Sequence, residues 1–277
     1  MSTVGALSRP MPNALRLGWE RTRYEVRSFY RERDAVIFIF AYPVIMLAIF
    51  ATVFGQNGAN VADDIPFAQY FLPGMIATGV LLSSFQSLAI DISNERDRGG
   101  LKRLRGTPLP PTSFFLGKVG QVLFTSLIQL VLLLAVAALL FDVPLPDTAG
   151  RWWTLAWVFA LGTATGAICG VGFSSLPRSG KSASAVVTPV VLVLQFISGV
   201  FFSFYDLPGW MQEVAAVFPL KWMAQGMRSV FLPDSVAVLE PAGTWEHGRI
   251  ALVLGAWLIL GLVVGVRTFR WQRRDDR

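Results

Sequence analysis

Six long stretches of the chain carry no charged residue: 35–62, 65–90, 119–141, 152–177, 182–205 and 250–266. Crossing a hydrocarbon layer takes about 20 helical residues. The first five stretches are long enough to span and to tilt. The last is short, but Arg249 and Arg267 at its ends can reach outward to the headgroups. The pattern predicts an all-α integral membrane fold with six transmembrane helices, at about 35–56, 67–91, 114–141, 152–174, 183–204 and 249–267.

The intervening segments have patterns of their own. In 13–33, Leu15, Trp19, Thr22, Val26 and Phe29 recur at steps of four and three, opposite Arg16, Glu20, Arg23, Arg27 and Arg31. That spacing predicts an N-terminal amphipathic helix lying in the membrane interface and feeding the first span. Residues 207–232 read as two short helices before the last span, separated at Pro219, because proline suits a helix start and not its interior. Trp210, Met211, Phe218, Trp222, Met223 and Phe231 are expected at the outer interface, which favours such side chains. The chain divides into an N-terminal segment (1–34), a six-helix membrane domain (35–268) and a basic tail (269–277).

Charge orients this arrangement. Twenty of the 24 lysines and arginines fall before the first span, in the 91–118 connection, at Arg178 and Lys181, or from Arg267 onward. The opposite side receives only Arg151, Lys221, Arg228 and Arg249. The bias toward cytoplasmic segments places both termini in the cytoplasm. The net charge of +6 and pI near 9.9 are therefore a topology signal and imply no nucleic-acid partner. Hydrophobic residues make up 53% of the chain and charged ones 15%, below the quarter usual in soluble proteins. Residues 1–34 show no apolar core or cleavage site of a secretory signal, so the first apolar run is expected to stay as an anchor. The single cysteine, Cys169, excludes an intramolecular disulfide framework and reads as a buried thiol.

Catalytic chemistry is missing from the pattern. There are no paired carboxylates in the apolar runs, no phosphate loop, no metal-ligand spacing and no nucleophile motif. His247 is the only histidine and reads as a solvated loop residue. Gly162, Gly166, Gly170 and Gly172 read as close helix packing. An ion-driven carrier needs an ionisable group deep in the bilayer, and the spans offer only neutral polar groups. Gln86, Gln129 and Gln195, with Phe85, Phe196 and Phe201, are candidates to line a path at a dimer seam; helix packing explains them equally well. An ion-driven carrier or channel is the alternative to a transport subunit powered by another chain, and an integral membrane enzyme is a third class.

The densest charge lies in one short connection, from Asn94 through Thr107 and Pro108. A helix over 93–105 would present Arg96, Arg98, Lys102, Arg103 and Arg105 as a basic patch, with Leu101 and Leu104 as a small apolar edge. Thr107-Pro108-Leu109-Pro110-Pro111 then stops the helix. Such an element suits docking into a partner's groove; an ordinary positive loop accounts for the composition equally well.

The run from Glu95 to Leu109 (Glu-Arg-Asp-Arg-Gly-Gly-Leu-Lys-Arg-Leu-Arg-Gly-Thr-Pro-Leu), followed by Leu116-Gly117-Lys118, resembles the connection after the second span in ABC-2 type permeases. It is nearest to the daunorubicin-resistance-like drug and lipid exporters of bacteria. Leu207-Pro208-Gly209-Trp210 and Phe218-Pro219-Leu220 are similar to that family's outer segment. The resemblance implies a permease of the bacterial cytoplasmic membrane, not itself an enzyme, that binds no cofactor. It would pair with a second permease copy or a related permease, and with two cytosolic ATP-binding subunits that carry ATP and Mg. The 93–106 region would be the coupling helix, its expected contact residues being Glu95, Arg96, Arg98, Gly99, Leu101, Lys102, Arg103, Leu104, Thr107 and Pro108. Trp19, Arg23 and Arg27 of the interfacial helix would meet the same subunits. Two positions depart from the pattern: Gly100 replaces the usual threonine and Lys102 a frequent glutamate.

Overall fold

The structure is a computed structural model that describes residues 13–56, 65–107 and 110–269. Pro108, the 57–64 connection and the tail from 270 lie outside the described residues. Within them the chain is all helical. Helix α1 (Ala14–Arg31) is followed by α2 (Arg33–Gln56), and α3 (Phe67–Leu81) runs through a π-helical turn (Leu82–Gln86) into α4 (Ser87–Asp97). Then come α5 (Gly100–Arg105), α6 (Pro111–Leu140), α7 (Ala149–Phe173), α8 (Gly180–Ile197), α9 (Gly209–Val217), α10 (Pro219–Phe231) and α11 (His247–Thr268). Six helical segments are long and apolar enough to cross a bilayer: Arg33–Gly55, Phe67–Asp97, Pro111–Leu140, Ala149–Phe173, Gly180–Ile197 and His247–Thr268. This is a multi-pass membrane protein.

Local sequence explains where these helices begin and end. Pro111 and Pro219 occupy first-turn positions, where a missing N–H costs nothing. Ser179 and Ser182 form a reciprocal capping box at the start of α8. Helix α8 stops at Ile197, short of the expected 204, because Gly199 turns the chain with φ of +70°. A Cβ there would lie 2.8 Å from Phe204 Cβ, so only glycine lets Phe204 fold back.

The continuous α3–π–α4 segment is the post around which the bundle is built. Phe71, Leu72, Met75 and Ile76 are buried against α2, α6 and α10. By contrast α2, α8 and α11 keep many apolar side chains exposed, as bilayer-facing helices do. The glycines of α7 serve packing as the sequence suggested. Gly166 abuts Ser84 and Gly170 abuts the Phe85 carbonyl in the π turn, while Gly162 receives Met223.

The outer helices differ from expectation. Every residue of α10 from Leu220 to Phe231 is buried, so Trp222, Met223 and Phe231 sit in the core and not at an interface. Only Trp210 of the set is strongly exposed. The reason is small residues on both sides of the contact: Gly226 admits Val158, as Gly162 admits Met223. The α9–α10 elbow rests halfway along α11, where Trp257 Nε1 donates 2.6 Å to the Val217 carbonyl and the indole stacks on Phe218. Most polar side chains of α10 find partners inside the fold, although Arg228 Nη2 is buried without a hydrogen bond. Arg228 Nε lies 2.6 Å from Glu240, and its Nη1 donates to the Gly199 carbonyl; Gln225 donates to the Thr244 and Trp245 carbonyls. His247 is exposed, as expected, but it begins α11 and does not lie in a loop, and its Nε2 is 3.0 Å from Ser229 Oγ.

Lys221 is the exception in charge pairing. It donates to Gln225 and lies 3.8 Å above the Trp222 ring, with no carboxylate among the described residues in salt-bridge range. Burial pushes its ammonium pKa down from 10.5 to about 8, against the pull of Glu240 and with the push of Arg228. Between those two values the unfolded chain holds a proton that the folded chain has released, so stability rises with pH across that window. Lys221→Met should abolish this rise and lift the denaturation midpoint at pH 7 by a few degrees, measured by thermal unfolding in detergent. An unchanged pH profile would show that Lys221 does not titrate there.

Candidate functional site

Helix α1 is seated on the first third of α6 by glycine. Gly117 and Gly120 of α6 lie directly under Arg21 and Thr22, and Gly18 of α1 lies under Leu116, so the two backbones run close together. The face that α1 turns inward is therefore Gly18, Arg21, Thr22, Glu25 and Phe29. This corrects the apolar stripe read from the sequence: Thr22 and Phe29 do pack inward, but Leu15 and Trp19 are exposed. Arg23 and Arg27 are exposed on the same helix. Exposed leucine and tryptophan beside arginine fit a helix at a bilayer surface.

This seating brings Glu25 to Lys118, eight residues into α6 and fully buried. Lys118 Nζ lies 2.6 Å from Glu95 Oε1, 2.9 Å from Glu25 Oε2 and 3.3 Å from Asp91 Oδ2. An ammonium has three N–H donors, and here each has a carboxylate. Arg21 pairs with Glu25 and lies 4.0 Å from Glu95. Two cations and three carboxylates thus join α1, α4 and α6 at one end of the bundle. A cavity of about 360 Å³ opens beside them, lined by Glu32, Asp91, Glu95 and Arg98 among others. The Glu32 carboxyl is held above its ordinary pKa, chiefly by burial and then by Asp91.

The expected 93–106 helix is two helices. Gly99 adopts φ of +74°, a left-handed conformation that ends α4 in the manner of a glycine helix stop. The Arg98 and Gly99 amides close that end on the Asn94 and Arg96 carbonyls. Gly100 then starts α5; a Cβ there would lie 3.2 Å from the Glu95 carbonyl, closer than is comfortable, so its departure from threonine fits this turn. Leu101 is fully buried with Leu88, Ile92 and Phe114, and Leu104 packs beside it half-buried. The apolar edge expected to meet a partner is turned into the protein's own core, because its nearest apolar surface is the start of α6. Arg96 is also buried, on Ser174, and so does not belong to the exposed patch. Arg98, Lys102, Arg103 and Arg105 do lie exposed, and Thr107 donates to the Leu104 carbonyl.

The path candidates lie apart. Gln129 donates 2.7 Å to the Ile39 carbonyl, and Gln195 accepts 2.9 Å from the Tyr42 hydroxyl, so both meet the same stretch of α2. Phe85 packs edge-on against Phe173, Gln86 is half-buried, and Phe196 is exposed beside Phe201. A separate apolar groove of about 660 Å³ runs between α6, α7 and α11, bordered by Phe115, Ile168, Leu262 and Phe269 over Gly261 and Gly265. Sequence reasoning did not single out Glu25, and read Lys118 only as topology charge and as the end of the Leu116-Gly117-Lys118 motif. The available signal was the i, i+4 spacing of Asp91 and Glu95 near a lone lysine in an apolar helix.

Residues 19–232 match the ABC-2 type transporter family. Inner membrane transport permease YadH of Escherichia coli (strain K12) is 24% identical over 230 residues, covering 82% of this chain and 88% of that one. Daunorubicin resistance ABC transporter permease protein DrrB1 of Streptomyces coeruleorubidus is 23% identical over 248 residues, covering 85% and 79%. Probable multidrug ABC transporter permease YbhR of E. coli (strain K12) is 20% identical over 174 residues, covering 62% and 46%. With five of its six membrane-length helices and the charged connection inside the matched region, this chain belongs to the ABC-2 type transporter family.

Proposed function

We propose that the protein is the membrane-spanning permease of an ATP-driven exporter, acting with a second permease copy or a related permease and with two ATP-binding chains that hold ATP and Mg. Both termini face the cytoplasm, and α5 presents Lys102, Arg103 and Arg105 to the ATP-binding chain. The observation that carries this reading is the mounting of the α4–α5 connection. Its apolar side is anchored in the core, Glu95 is fixed to Lys118, and its basic side lies exposed. A rigid element so mounted passes an external push into α4, α6 and α1 together.

Surface chemistry supports a hydrophobic or amphipathic substrate. The groove between α6, α7 and α11 is apolar and of a size that holds one hydrophobic or amphipathic molecule. Export of a drug also accords with the names of two relatives, a probable multidrug permease and a daunorubicin resistance permease. Gln86, Gln129 and Gln195, with Phe85 and Phe196, remain the proposed contributors to a path completed by the second permease. The test is reconstitution in vesicles with an ATP-binding subunit, scoring ATP hydrolysis across a panel of apolar compounds. Compound-stimulated, permease-dependent hydrolysis is expected; transport that runs without ATP would replace this reading with a carrier.

Lys102 gives a finer check. Its exposed charge implies an acidic facing surface, so Lys102→Glu should remove about 1 kcal/mol of rim attraction, roughly fivefold in association with the ATP-binding chain. Binding measured at low and high salt reads this directly. Equal or tighter binding would mean that the facing surface is not acidic.

A further inference from the structure

Arg96 points away from the face that α5 offers to another chain. The residue is 9% exposed, and Nη1 donates 2.7 Å to the Ser174 carbonyl while Nη2 donates 3.2 Å to Ser174 Oγ. Ser93 Oγ, nearly one turn earlier on α4, donates to the same carbonyl at 2.9 Å. Ser174 closes the C-terminus of α7, where carbonyl groups carry the negative end of the helix dipole. A buried arginine there is both paired and oriented.

The chain beyond Ser174 is short and internally bonded. Ser175 Oγ donates to the Gly172 carbonyl, the Leu176 amide donates to the Phe173 carbonyl, Pro177 is buried, and the Ser179–Ser182 capping box starts α8. The first residue of α8 is Gly180, and a Cβ built there would lie 2.6 Å from Asn94 Oδ1 and 3.1 Å from Asp97 Cβ. Backbone of α8 thus touches the end of α4 directly. The end of α4, the 174–179 turn and the first turn of α8 form one body, with Arg96 as its fastener.

We infer that Arg96 is a positioning residue that ties the 94–106 connection to the α7–α8 turn, so that movement received at α5 is delivered to α8 as well as to α4. The inference rests on the permease reading for its input, while the fastening itself is a property of the fold. Helix α8 is suited to be an output. One face is exposed along its length, and its far end holds Gln195 against Tyr42 of α2.

Three measurements on the permease reconstituted with its ATP-binding subunit test it. In Arg96→Ala, substrate moved per ATP hydrolysed should fall by about tenfold or more, with partial recovery in Arg96→Lys, since bonds from a charged donor are lost and then partly replaced. An unchanged ratio in Arg96→Ala would overturn the inference. In a Cys169→Ser background, Asp97→Cys with Gly180→Cys places two Cβ atoms 3.1 Å apart, a few tenths of an ångström short of the usual disulfide range of about 3.5–4.5 Å. The oxidised pair should keep most of the transport of the reduced pair, because joined parts move together. Loss on oxidation that reduction restores would show that α4 and α8 separate, and would refute the single body. Hydrogen exchange of the 180–184 amides should quicken in Arg96→Ala by about tenfold, and no change there would also overturn it. If the parent shows no ATP-dependent transport, the permease reading fails and the exchange and cross-linking yields alone decide the fastening.

Discussion

Lys118→Met lowers the stability of the folded protein by about 3–5 kcal/mol, the usual cost of removing one partner from a buried ion pair. The carboxylates do not all contribute equally. Glu25 is nearly fully buried and keeps only Arg21, so its desolvation is the main term; Asp91 and Glu95 retain about 30% exposure and are partly screened by water. Removing the negative charge as well should therefore recover much of the loss. Lys118→Met with Glu25→Gln is expected to regain about half of it, because a neutral pair leaves less uncompensated charge. Arginine is no substitute: its planar fork cannot point three donors at carboxylates arriving from three helices. Thermal unfolding in detergent reads the stability, and release of α1 from α6 reads the cause, through quicker hydrogen exchange over 18–29. A single replacement that leaves both unchanged would mean that the cluster does not hold α1.

The difference between the legible and the hidden parts of this fold follows the range of the interactions. Six spans are visible because a bilayer imposes a length requirement on each helix by itself, and no knowledge of neighbours is needed. The glycines of α7 were legible for a similar reason: Gly166 and Gly170 share a face, and a small-residue face on an apolar helix invites another backbone. Helix α10 was not. Its mixture of tryptophan, methionine, lysine and arginine suits an interface as well as it suits a buried helix with satisfied polar groups. What decides between them is Gly162 on α7, some sixty residues earlier in the chain. The connection was read as one helix because its side chains favour helix, yet Gly99 in a left-handed turn splits it and sends Leu101 inward. Arg96 and Lys118 show the same limit in charge. Each was counted in an excess of positive residues on one side, while the partners that fix their roles, Ser174 and Glu25, are 78 and 93 residues away. Charge counting places a residue relative to the membrane and says nothing about what it holds.

Gly170→Leu should prove nearly as disruptive as loss of Lys118, at about 3 kcal/mol or more, because the obstruction is backbone. A Cβ at Gly170 would lie 2.7 Å from the Phe85 carbonyl oxygen, 3.1 Å from Phe85 Cα and 3.2 Å from the Ser84 carbonyl oxygen. None of those atoms is the end of a flexible side chain, so α7 must retreat from the π turn or the turn must change. A π turn already carries an extra residue per turn and interrupts the regular hydrogen-bond ladder. It tolerates α7 only at glycine distance. Retreat of α7 would also disturb its contact with α11, where Thr165 donates 3.0 Å to the Leu254 carbonyl and Cys169 Sγ donates 3.7 Å to that of Trp257. Gly172→Ala is the control on the same helix. Its nearest neighbours would lie at 3.6 Å, ordinary contact, and it should fold within about 0.5 kcal/mol of the parent. Membrane-inserted yield and the detergent unfolding midpoint separate the two. Equal losses in both variants would show that α7 fails for a reason other than its seat on the π turn.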